Sequence, residues 1–476
     1  MGTGGLLREV ELHALDPERF GEVLTEEDLR HFDERREAAR TFMDGRVLWN
    51  VNSAAKGGGV AEMLSSLLAY ALGAGIDARW LVIGGSPGFF RVTKRIHNRL
   101  HDSPGDGGPL GNAERSVYED ALVAAGEELT KRVSARDIVL LHDPQTLGLA
   151  PVMAGTGATV VWRCHVGVDD PGELAHETWR FLEPYLSAAA GSVFSRDAYV
   201  WAELDRSTVV VVPPSIDAFS PKNQELEPDM VRSILAATGV IPDGAGGSPE
   251  FVRPNGDSDL VRSETEMAED DPVPEDAPVV LQVSRWDRLK DPVGVLRGFA
   301  SHVPSDLGAH LVLAGPEMGT VADDPEGEEV LEETRRARAE LDAGARARVH
   351  LALVPDEDGD ENAAIVNALQ RHATVVVQKS LAEGFGLTVA EAMWKERPVV
   401  ASRVGGIQDQ IMHGESGLLV DDPRDLSSFG ESVTSMLRDP DRAAKMGAAA
   451  KERVRQEFLG PRHLLQYVDL FERLLD

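Results

Sequence analysis

The chain has 476 residues, a formal net charge of −32 at pH 7 and 42% hydrophobic residues. This length exceeds what one hydrophobic core usually serves, so we expect two domains. The acidic excess argues against nucleic acid and anionic membranes as partners. A single cysteine, Cys164, excludes a disulfide framework and a cysteine zinc site. The sequence has neither a long apolar run nor a signal-peptide pattern, so we expect a cytoplasmic protein with no membrane span.

Short β-rich runs alternate with amphipathic segments in the first half of the chain. Near-continuous runs of Val, Ile and Leu that alternate with helical segments are typical of a parallel sheet covered by helices on both faces. The predicted strands are 46–53, 78–85, 137–144, 159–166, 191–195 and 208–214.

The same pattern restarts after a break, so the sequence predicts an α/β protein with two doubly wound domains. The hinge is expected after Pro213-Pro214, because two prolines stiffen the chain there. Residues 242–277 are polar, acidic and rich in Pro and Gly, which predicts a mobile surface insertion. The predicted strands of the second half are 278–285, 310–316, 349–355, 373–380, 397–406 and 417–422.

Ligands of open parallel sheets bind beyond the carboxyl ends of the strands, so the loops that follow strands hold the candidate site residues. A glycine triplet follows the first strand and precedes a helix; it consists of Gly57, Gly58 and Gly59. Glycines let the backbone approach a ligand closely, and a helix N-terminus favours an anionic oxygen. A flexible turn without a ligand is the alternative.

Two histidines end successive strands of the first half. His142 stands beside Asp143, and His165 follows Arg163 by two positions. A lone histidine is more often structural, but two at one edge of a sheet favour a functional site. The stretch AHETWRF lacks the second histidine of an HExxH motif, so we expect no metal site.

In the second half, Arg285 and Lys290 follow the first strand, and two cations in an acidic chain suggest an anionic ligand such as a diphosphate. An exposed loop whose cations pair with nearby aspartates is the alternative. Glu383 and Glu391 stand eight positions apart around a glycine turn that opens a helix. Backbone N–H groups at the helix start can hold sugar hydroxyls or phosphate oxygens, and these donors would come from Gly384, Phe385, Gly386 and Leu387. The Glu391 carboxylate, about one turn inside the helix, can bind two vicinal hydroxyls, as on a ribose. A helix residue that is favoured only by the helix dipole is the alternative.

These residues resemble those of a known family. The Glu383/Glu391 spacing matches the E-x7-E motif of the retaining glycosyltransferases of family 4, which have the GT-B fold. The segments VNSAAKGGGVAEML, FFRVTKRIHN, WRCH and LQVSRWDRLKDP are most similar to the trehalose synthases of that family, which join glucose from a nucleotide sugar to free glucose. The resemblance runs from about residue 45 to the end of the chain, apart from the acidic insertion.

The resemblance implies two Rossmann-like domains that face a central cleft. Residues 1–215 would bind the acceptor, residues 216–455 would bind the nucleotide-sugar donor, and a final helix at about 456–476 would pack back on the first domain. The substrates would be a nucleoside-diphosphate glucose and a small sugar, without a metal or another cofactor. The donor base stays open among ADP, UDP and GDP, and a homodimer stays an option.

The resemblance also implies roles for single residues on the donor side. Arg285 and Lys290 would neutralise the diphosphate, Glu383 would hold hydroxyls of the donor glucose, and Glu391 would bind the ribose. Gly405 and Gly406 would flank the donor site.

In the first domain, the Gly57–Gly59 loop would close over the diphosphate and the acceptor, and His165 would contact the donor sugar near the reacting carbon. Asp143 and Arg163 would contact the acceptor. Other functions stay open at this stage: a trehalose phosphorylase-like enzyme, a family-4 transferase with another acceptor, a nucleotide-sugar epimerase of the same shape, or a non-catalytic sugar-binding module.

Overall fold

The computed structural model of the protein describes residues 7–56, 58–242, 247–267, 272–317 and 325–475. The chain divides into two compact units. The first unit takes in the described residues up to Ser215 and those from Gly460 onward, and the second runs from Ile216 to Leu459. Each unit has its own sheet and its own hydrophobic core.

The described residues of the first unit form a seven-stranded sheet. Its strands are β1 (Leu7–Val10), β2 (Val47–Asn52), β3 (Asp77–Ile83), β4 (Ile138–His142), β5 (Thr159–Cys164), β6 (Gly191–Phe194) and β7 (Val209–Val211). They lie in the order β1, β3, β2, β4, β5, β6, β7. All neighbours are parallel except β1, which runs antiparallel to β3 at the edge. The buried strands are those with near-continuous Val, Ile and Leu, because both faces of a parallel sheet are covered.

Helices cover this sheet on both faces, and two of those described begin with a side-chain cap. The helices are α1 (Glu26–Phe42), α2 (Gly59–Gly73), α3 (Pro87–Leu100), α4 (Asn112–Leu129), α5 (Asp143–Leu147), α6 (Ala150–Ala154) and α7 (Glu173–Leu186). The Ser86 hydroxyl, for example, accepts a hydrogen bond from the Phe89 N–H at 3.2 Å, and Pro87 takes the first helical position of α3. Such caps satisfy N–H groups that have no partner inside the helix. Short 3-10 helices lie at Pro17–Glu22, Asp197–Tyr199 and Arg206–Thr208.

The second unit contains another seven-stranded sheet and a two-stranded hairpin. The strands are β8 (Glu250–Val252), β9 (Ser258–Leu260), β10 (Glu266–Met267), β11 (Val279–Val283), β12 (His310–Pro316), β13 (Val349–Val354), β14 (Val375–Gln378), β15 (Val399–Ser402) and β16 (Leu418–Val420). The sheet order is β10, β13, β12, β11, β14, β15, β16, and β8 pairs with β9. Among the strands that the structure describes in this sheet, β10 is antiparallel to its neighbour and the others are parallel.

Helices also flank the second sheet. They are α8 (Pro228–Ala237), α9 (Pro292–His302), α10 (Pro325–Ala339), α11 (Ala343–Arg346), α12 (Gly359–His372), α13 (Leu387–Trp394), α14 (Ile407–Gln410), α15 (Leu426–Arg438) and α16 (Pro440–Glu457), with 3-10 helices at Arg288–Lys290 and Ser305–Leu307. The last helix, α17 (Gly460–Leu475), belongs to the first unit and packs against α1 and α2. No helix in the described part of the chain is long and apolar enough to cross a membrane.

The interpretation of residues 242–277 as a mobile, solvated insertion is wrong for its described part. The stretch contains the β8–β9 hairpin and β10, which joins the sheet. Phe251 and Val273 are each only 1% exposed. Arg253 in this stretch forms ion pairs with Asp259 at 2.8 Å and with Asp360 at 3.1 Å. The composition is mostly polar, but a few well-placed apolar anchors and one arginine are enough to fix the segment.

Each sheet has one point where the strand order reverses. In the first unit this point lies between β2 and β4, and in the second it lies between β11 and β14. At such a point the loops that leave neighbouring strands diverge, and the crevice beyond the carboxyl ends of those strands is where open α/β sheets bind ligands. The loops after these four strands are therefore where each unit can hold a substrate.

Candidate active site

Two loops of the second unit meet at its reversal point. Lys290 follows β11 and Glu383 follows β14, and the Lys290 ammonium forms an ion pair with the Glu383 carboxylate. The Ser380 hydroxyl donates to the same carboxylate at 3.3 Å, and the Leu381 N–H donates to the Leu289 carbonyl at 2.7 Å. The two side chains of the ion pair are only 17% and 10% exposed. The structure therefore brings together two of the residues predicted from the sequence.

A second cation fixes the turn that carries Lys290. The Lys379 side chain at the end of β14 is 1% exposed, and its ammonium pairs with the Asp291 carboxylate. Asp291 has a left-handed backbone with a φ of 48°, and its other carboxylate oxygen accepts the Gly294 N–H at 3.1 Å at the start of α9. The Gln282 side-chain amide donates to the Lys290 carbonyl at 3.1 Å. The backbone that carries the Lys290 side chain is thus fixed at Lys290 itself and at the next residue, Asp291.

Geometry calls for glycine at residue 386 in the turn after Glu383 and at residue 406 in the loop beside it. Gly386 has a φ of +83° and precedes the first residue of α13. A Cβ on Gly406 would lie 2.7 Å from the Cα of Phe385, and the Gly406 N–H donates to the Gly384 carbonyl at 3.0 Å. The Gln410 side-chain amide donates to the Phe385 carbonyl at 2.6 Å. The loop of Gly405 and Gly406, which the resemblance places beside the donor site, thus contacts this turn through Gly406.

Glu391 lies inside α13 and is 1% exposed. Its carboxylate faces the Lys222 ammonium at 3.6 Å, and the side chain of Lys222 is 21% exposed. The carbonyl of Glu391 accepts a hydrogen bond from the buried Lys395 ammonium at 3.1 Å. A carboxylate beside a partly exposed cation can bind the hydroxyls of a ribose while the cation balances its charge.

Arg285 differs from the other predicted donor residues in its exposure. Its side chain is 67% exposed and lies 3.6 Å from the Asp287 carboxylate. Among the ion pairs of the described residues, its guanidinium pairs with Asp287 and not with Glu383. The long side chain can move to an anion in the same loop, because an exposed arginine loses only rotamer freedom when it does so.

In the first unit, His142 and His165 come together at the edge where β4 and β5 end. The Nδ1 of His142 lies 3.3 Å from the Nε2 of His165, and the two rings are nearly parallel at 12°. The Asp143 carboxylate accepts the His165 N–H at 2.8 Å. Burial lowers the pKa of His142 to about 3, raises the pKa of Asp143 to about 6, and holds the pKa of His165 well below its usual range. Both histidines are therefore neutral at pH 7.

Arg163 is placed differently from the expectation of an acceptor contact. The residue is fully buried, and its guanidinium donates to the Val212 carbonyl at 2.6 Å and towards the Phe194 carbonyl at 3.5 Å. Burial lowers the pKa of Arg163, and its charge lies near Asp143. These contacts favour a role in fixing the chain at the end of β6 and after β7.

Of the predicted glycine triplet, Gly57 lies outside the described residues. Gly58 has a φ of +84° and caps α2, which begins at Gly59. A Cβ on Gly58 would meet no atom within 4 Å. Among the described residues nothing crowds this position, so the positive φ is what calls for glycine at residue 58.

Sequence reasoning missed four residues of these clusters. They are Asn50, Lys222, Gln282 and Lys379. For three of them a signal was available: Asn50, Gln282 and Lys379 are polar residues inside or directly after otherwise apolar buried strands, and a buried polar residue needs a specific partner. Lys222 lies in a connecting segment, and no local pattern separates it from an ordinary surface lysine.

Comparisons with known proteins give a consistent result. Residues 50–201 match the model of the trehalose synthase N-terminal domain, and residues 263–453 match that of the group 1 glycosyl transferases. The chain is 34% identical to the trehalose synthase of Pyrococcus horikoshii over 96% of both chains. A weaker similarity, 24% identity over 85% of this chain and 54% of the relative, links it to the trehalose phosphorylase of Grifola frondosa.

Among solved structures, a UDP-forming α,α-trehalose-phosphate synthase from Burkholderia xenovorans, in complex with glucose-6-phosphate, has a similar fold. The TM-score is 0.65 at 14% sequence identity, over 91% of this chain and all of the other. At that identity the likeness bears on the fold alone, which is that of the GT-B glycosyltransferases. The prediction of two doubly wound, Rossmann-like units is therefore confirmed.

Proposed function

Because the chain belongs to the trehalose synthase family of glycosyltransferases, we propose that it moves glucose from a nucleoside-diphosphate glucose to free glucose and forms α,α-trehalose with retention of configuration. The observation that carries this proposal is the Lys290–Glu383 pair at the reversal point of the second sheet. A cation suited to a diphosphate and a carboxylate suited to sugar hydroxyls stand there in direct contact.

The second unit supplies groups for each part of the donor. Lys290, with Arg285 moving in from its exposed position, would balance the charge of the diphosphate. Glu383 would then exchange its contact with Lys290 for hydroxyls of the donor glucose. Glu391, buried beside Lys222, would take the ribose hydroxyls. We propose that positive charge from Lys290 and Arg285 stabilises the leaving group and that the reaction needs no added metal.

The chemical step needs no nucleophile from the protein. The bond between the anomeric carbon of the donor and the diphosphate oxygen breaks, and the anomeric hydroxyl of the acceptor glucose attacks from the same face. The departing phosphate oxygen takes the proton of that hydroxyl, so that the products are trehalose, the nucleoside diphosphate and, in water, one proton. The role of Lys290 is to stabilise the negative charge that develops on the leaving group.

The first unit would contribute the acceptor side. His165 is neutral and partly exposed, and the Asp143 carboxylate holds its backbone N–H. His165 would contact the donor sugar near the reacting carbon. Because Arg163 is fully buried, we propose that it supports the acceptor side from behind the site.

A product assay tests the proposal. The purified protein is incubated with ADP-, UDP- and GDP-glucose and free glucose, without added metal, and the disaccharide is identified by NMR. We expect the α,α-1,1-linked disaccharide with at least one donor. We also expect kcat/KM to fall by about a hundredfold or more in Glu383→Gln and Lys290→Met, since each removes a charged contact to the transition state.

A matched control is Lys451→Met. Lys451 belongs to the same unit and pairs with Glu396 at 2.9 Å, away from Lys290 and Glu383 in the contacts of the described chain. Its kcat/KM should stay within about threefold of the unmodified protein. Transfer of glucose to another sugar, without formation of trehalose, would mean that the protein is a glycosyltransferase with a different acceptor. Unchanged activity in Glu383→Gln would refute the proposed role of Glu383.

A phosphorylase activity is the second candidate, because the chain resembles a trehalose phosphorylase over 85% of its own length. The synthase function is favoured because the sequence identity to the synthase is higher and the alignment covers both chains almost completely. Incubation with trehalose and inorganic phosphate separates the two. Release of glucose and glucose 1-phosphate without any nucleotide would establish the phosphorylase.

A further inference from the structure

We propose that Asn50 and His142 are positioning residues that hold the imidazole proton of His165 on Nε2, so that its Nδ1 is presented to the substrate as a hydrogen-bond acceptor. No motif and no resemblance assigned either residue to this task. The inference rests on the proposed function only where it names a sugar hydroxyl as the group that meets Nδ1.

The hydrogen bonds form a chain with one direction. The Oδ1 of Asn50 lies 3.1 Å from the Nε2 of His142, and an amide oxygen can only accept, so His142 carries a proton on Nε2. The Nδ1 of a neutral His142 is then bare. It lies 3.3 Å from the Nε2 of His165, and this contact is a hydrogen bond only if His165 donates. The proton of a neutral His165 is therefore on Nε2.

Burial keeps both imidazole rings neutral, so the hydrogen bonds from His165 to His142 and from His142 to Asn50 keep this direction. Asn50 and His142 are each 1% exposed. The charged group that bears on both rings is Arg163, whose guanidinium opposes a further positive charge, and His463 on α17 acts on His165 in the same sense. Asp143, the acidic group that faces this cluster, accepts the backbone N–H of His165 and is not hydrogen-bonded to either ring. A second proton on either ring is thus disfavoured.

The second ring nitrogen of His165, Nδ1, is the atom that this hydrogen-bond arrangement would present to the substrate. In the described part of the chain, Nδ1 of His165 forms no hydrogen bond, while Nε2 is held by His142. The lone pair on Nδ1, whose direction is set by the hydrogen bond on Nε2, can accept a hydrogen bond from a sugar hydroxyl and so orient that hydroxyl. The opposite tautomer would present an N–H group and select a group that accepts. The buried pair would thus decide which partner His165 can take.

The first experiment reads the tautomer without any substitution. The full chain is labelled with ¹⁵N-histidine, and two-bond ¹H–¹⁵N correlations of the imidazoles are recorded, with His165 and His142 assigned by difference from His165→Gln and His142→Asn. We expect both rings to be neutral with the proton on Nε2. A proton on Nδ1 of His165, or a mixture of the two tautomers, would overturn the proposal.

The second experiment uses Asn50→Asp, which changes the amide to a carboxylate of the same shape. The introduced carboxylate favours a charged His142, which then donates through Nδ1 and forces the proton of His165 onto Nδ1. We expect kcat/KM to fall by about tenfold or more on the acidic side of the pH profile and to recover as the pH rises. A uniform loss with an unchanged pH profile would mean a structural role only.

Thr146→Val is the matched control. The Thr146 hydroxyl is fully buried and donates to the backbone carbonyl of His142 at 2.7 Å, so its loss disturbs the same residue without touching the ring. It should lower thermal stability without altering the tautomer or the shape of the pH profile. The NMR experiment needs no turnover. A failure of the proposed transfer reaction therefore leaves the tautomer test intact, and an incorrect tautomer leaves the product assay intact.

Discussion

At the scale of single residues, Lys222 and Glu391 form an ion pair that the donor nucleotide would contact. The Glu391 carboxylate is buried and lies 3.6 Å from the Lys222 ammonium, which keeps partial access to solvent. If the ribose binds to Glu391, Lys222 orients that carboxylate and offsets its charge. Removing either partner changes the same contact, so the two substitutions should not act independently.

We therefore expect Lys222→Met and Glu391→Gln each to weaken binding of the nucleoside diphosphate by about tenfold, since a charge-assisted contact contributes about 1.5 kcal/mol or more. The double variant should lose clearly less than the product of the two effects. Isothermal titration calorimetry with ADP, UDP and GDP measures this. Lys451→Met serves as the control, and fully additive losses would contradict a shared contact.

The residues that sequence reasoning found differ from those it missed in one respect. Lys290 and Glu383 stand in loops directly after predicted strands, where an α/β sheet presents its ligand groups. Lys222 and Asn50 act through a partner that is distant in the sequence, 169 positions away for Lys222 and Glu391 (391 − 222) and 92 for Asn50 and His142 (142 − 50). A single sequence can mark Asn50 as a polar residue in an apolar strand, but it does not show which distant residue is the partner of Asn50 or of Lys222, so the folded structure had to supply both pairs.

At the scale of elements, the start of α13 depends on Gly386. An L-residue at a φ of +83° is strained, and a Cβ there would lie 3.1 Å from both Glu383 and Ile407. Gly239 has a similar φ of +77° but no atom within 4 Å of an added Cβ. The two positions therefore separate backbone strain from crowding, because only the first has both.

Gly239→Ala should lower the free energy of unfolding by about 1 kcal/mol through backbone strain alone and leave donor binding unchanged. Gly386→Ala should cost more and should also weaken donor binding, because it displaces Glu383 and the helix start. Chemical denaturation of the two variants and titration with the nucleoside diphosphate test this. Equal effects of both substitutions would show that crowding at the turn is unimportant.

Strands β12 and β13 carry a histidine pair that makes stability depend on pH. The Nδ1 of His310 lies 2.9 Å from the Nε2 of His350, and burial is the first cause that lowers the pKa of His350, to about 4. Neighbouring positive groups add to this effect: His310 and Arg338 for His350, and Arg348 for His310. The unfolded chain binds the proton near pH 6.5, so the folded form loses stability when the pH falls below that value.

We expect the unfolding free energy to drop by roughly 2 to 3 kcal/mol through His350 as the pH falls from about 6.5 to about 4. Thermal unfolding recorded over this range should show a shallower decline in His350→Gln than in the unmodified protein. His302→Gln is the control, since His302 is exposed. If His350→Gln and His302→Gln decline in parallel with the unmodified protein, the pair does not control the pH dependence.

The parallel strands were the most predictable elements, because their runs of Val, Ile and Leu leave one interpretation for a covered sheet. The structure keeps every one of them and shortens most at their ends, for example 397–406 to Val399–Ser402. The antiparallel β1 and the β8–β9 hairpin were not predicted. Their sequences, LREV, EFV and SDL, are too short and too charged to be recognised without the strands they pair with.

At the scale of the whole molecule, the charge balance dominates. The sequence has 80 acidic and 48 basic residues, so even complete pairing would leave 80 − 48 = 32 carboxylates without a basic partner. Exposed ion pairs such as Arg288–Glu333, at 2.7 Å, contribute little on their own. Repulsion among the surplus carboxylates opposes the compact state at pH 7. Added salt screens this repulsion and shortens its range.

Salt should therefore stabilise this protein. Between about 0.01 M and about 1 M potassium chloride the screening length falls from about 30 Å to about 3 Å, so we expect the midpoint of thermal unfolding at pH 7 to rise across that range. The experiment should use a chloride salt and not a sulfate, because sulfate would also stabilise the protein by strengthening the burial of apolar groups. Near pH 4.8, where the net charge is close to zero, the rise should disappear. A midpoint that falls with salt at pH 7 would mean that the ion pairs outweigh the repulsion. A rise of the same size near pH 4.8 would mean that salt acts through something other than net charge.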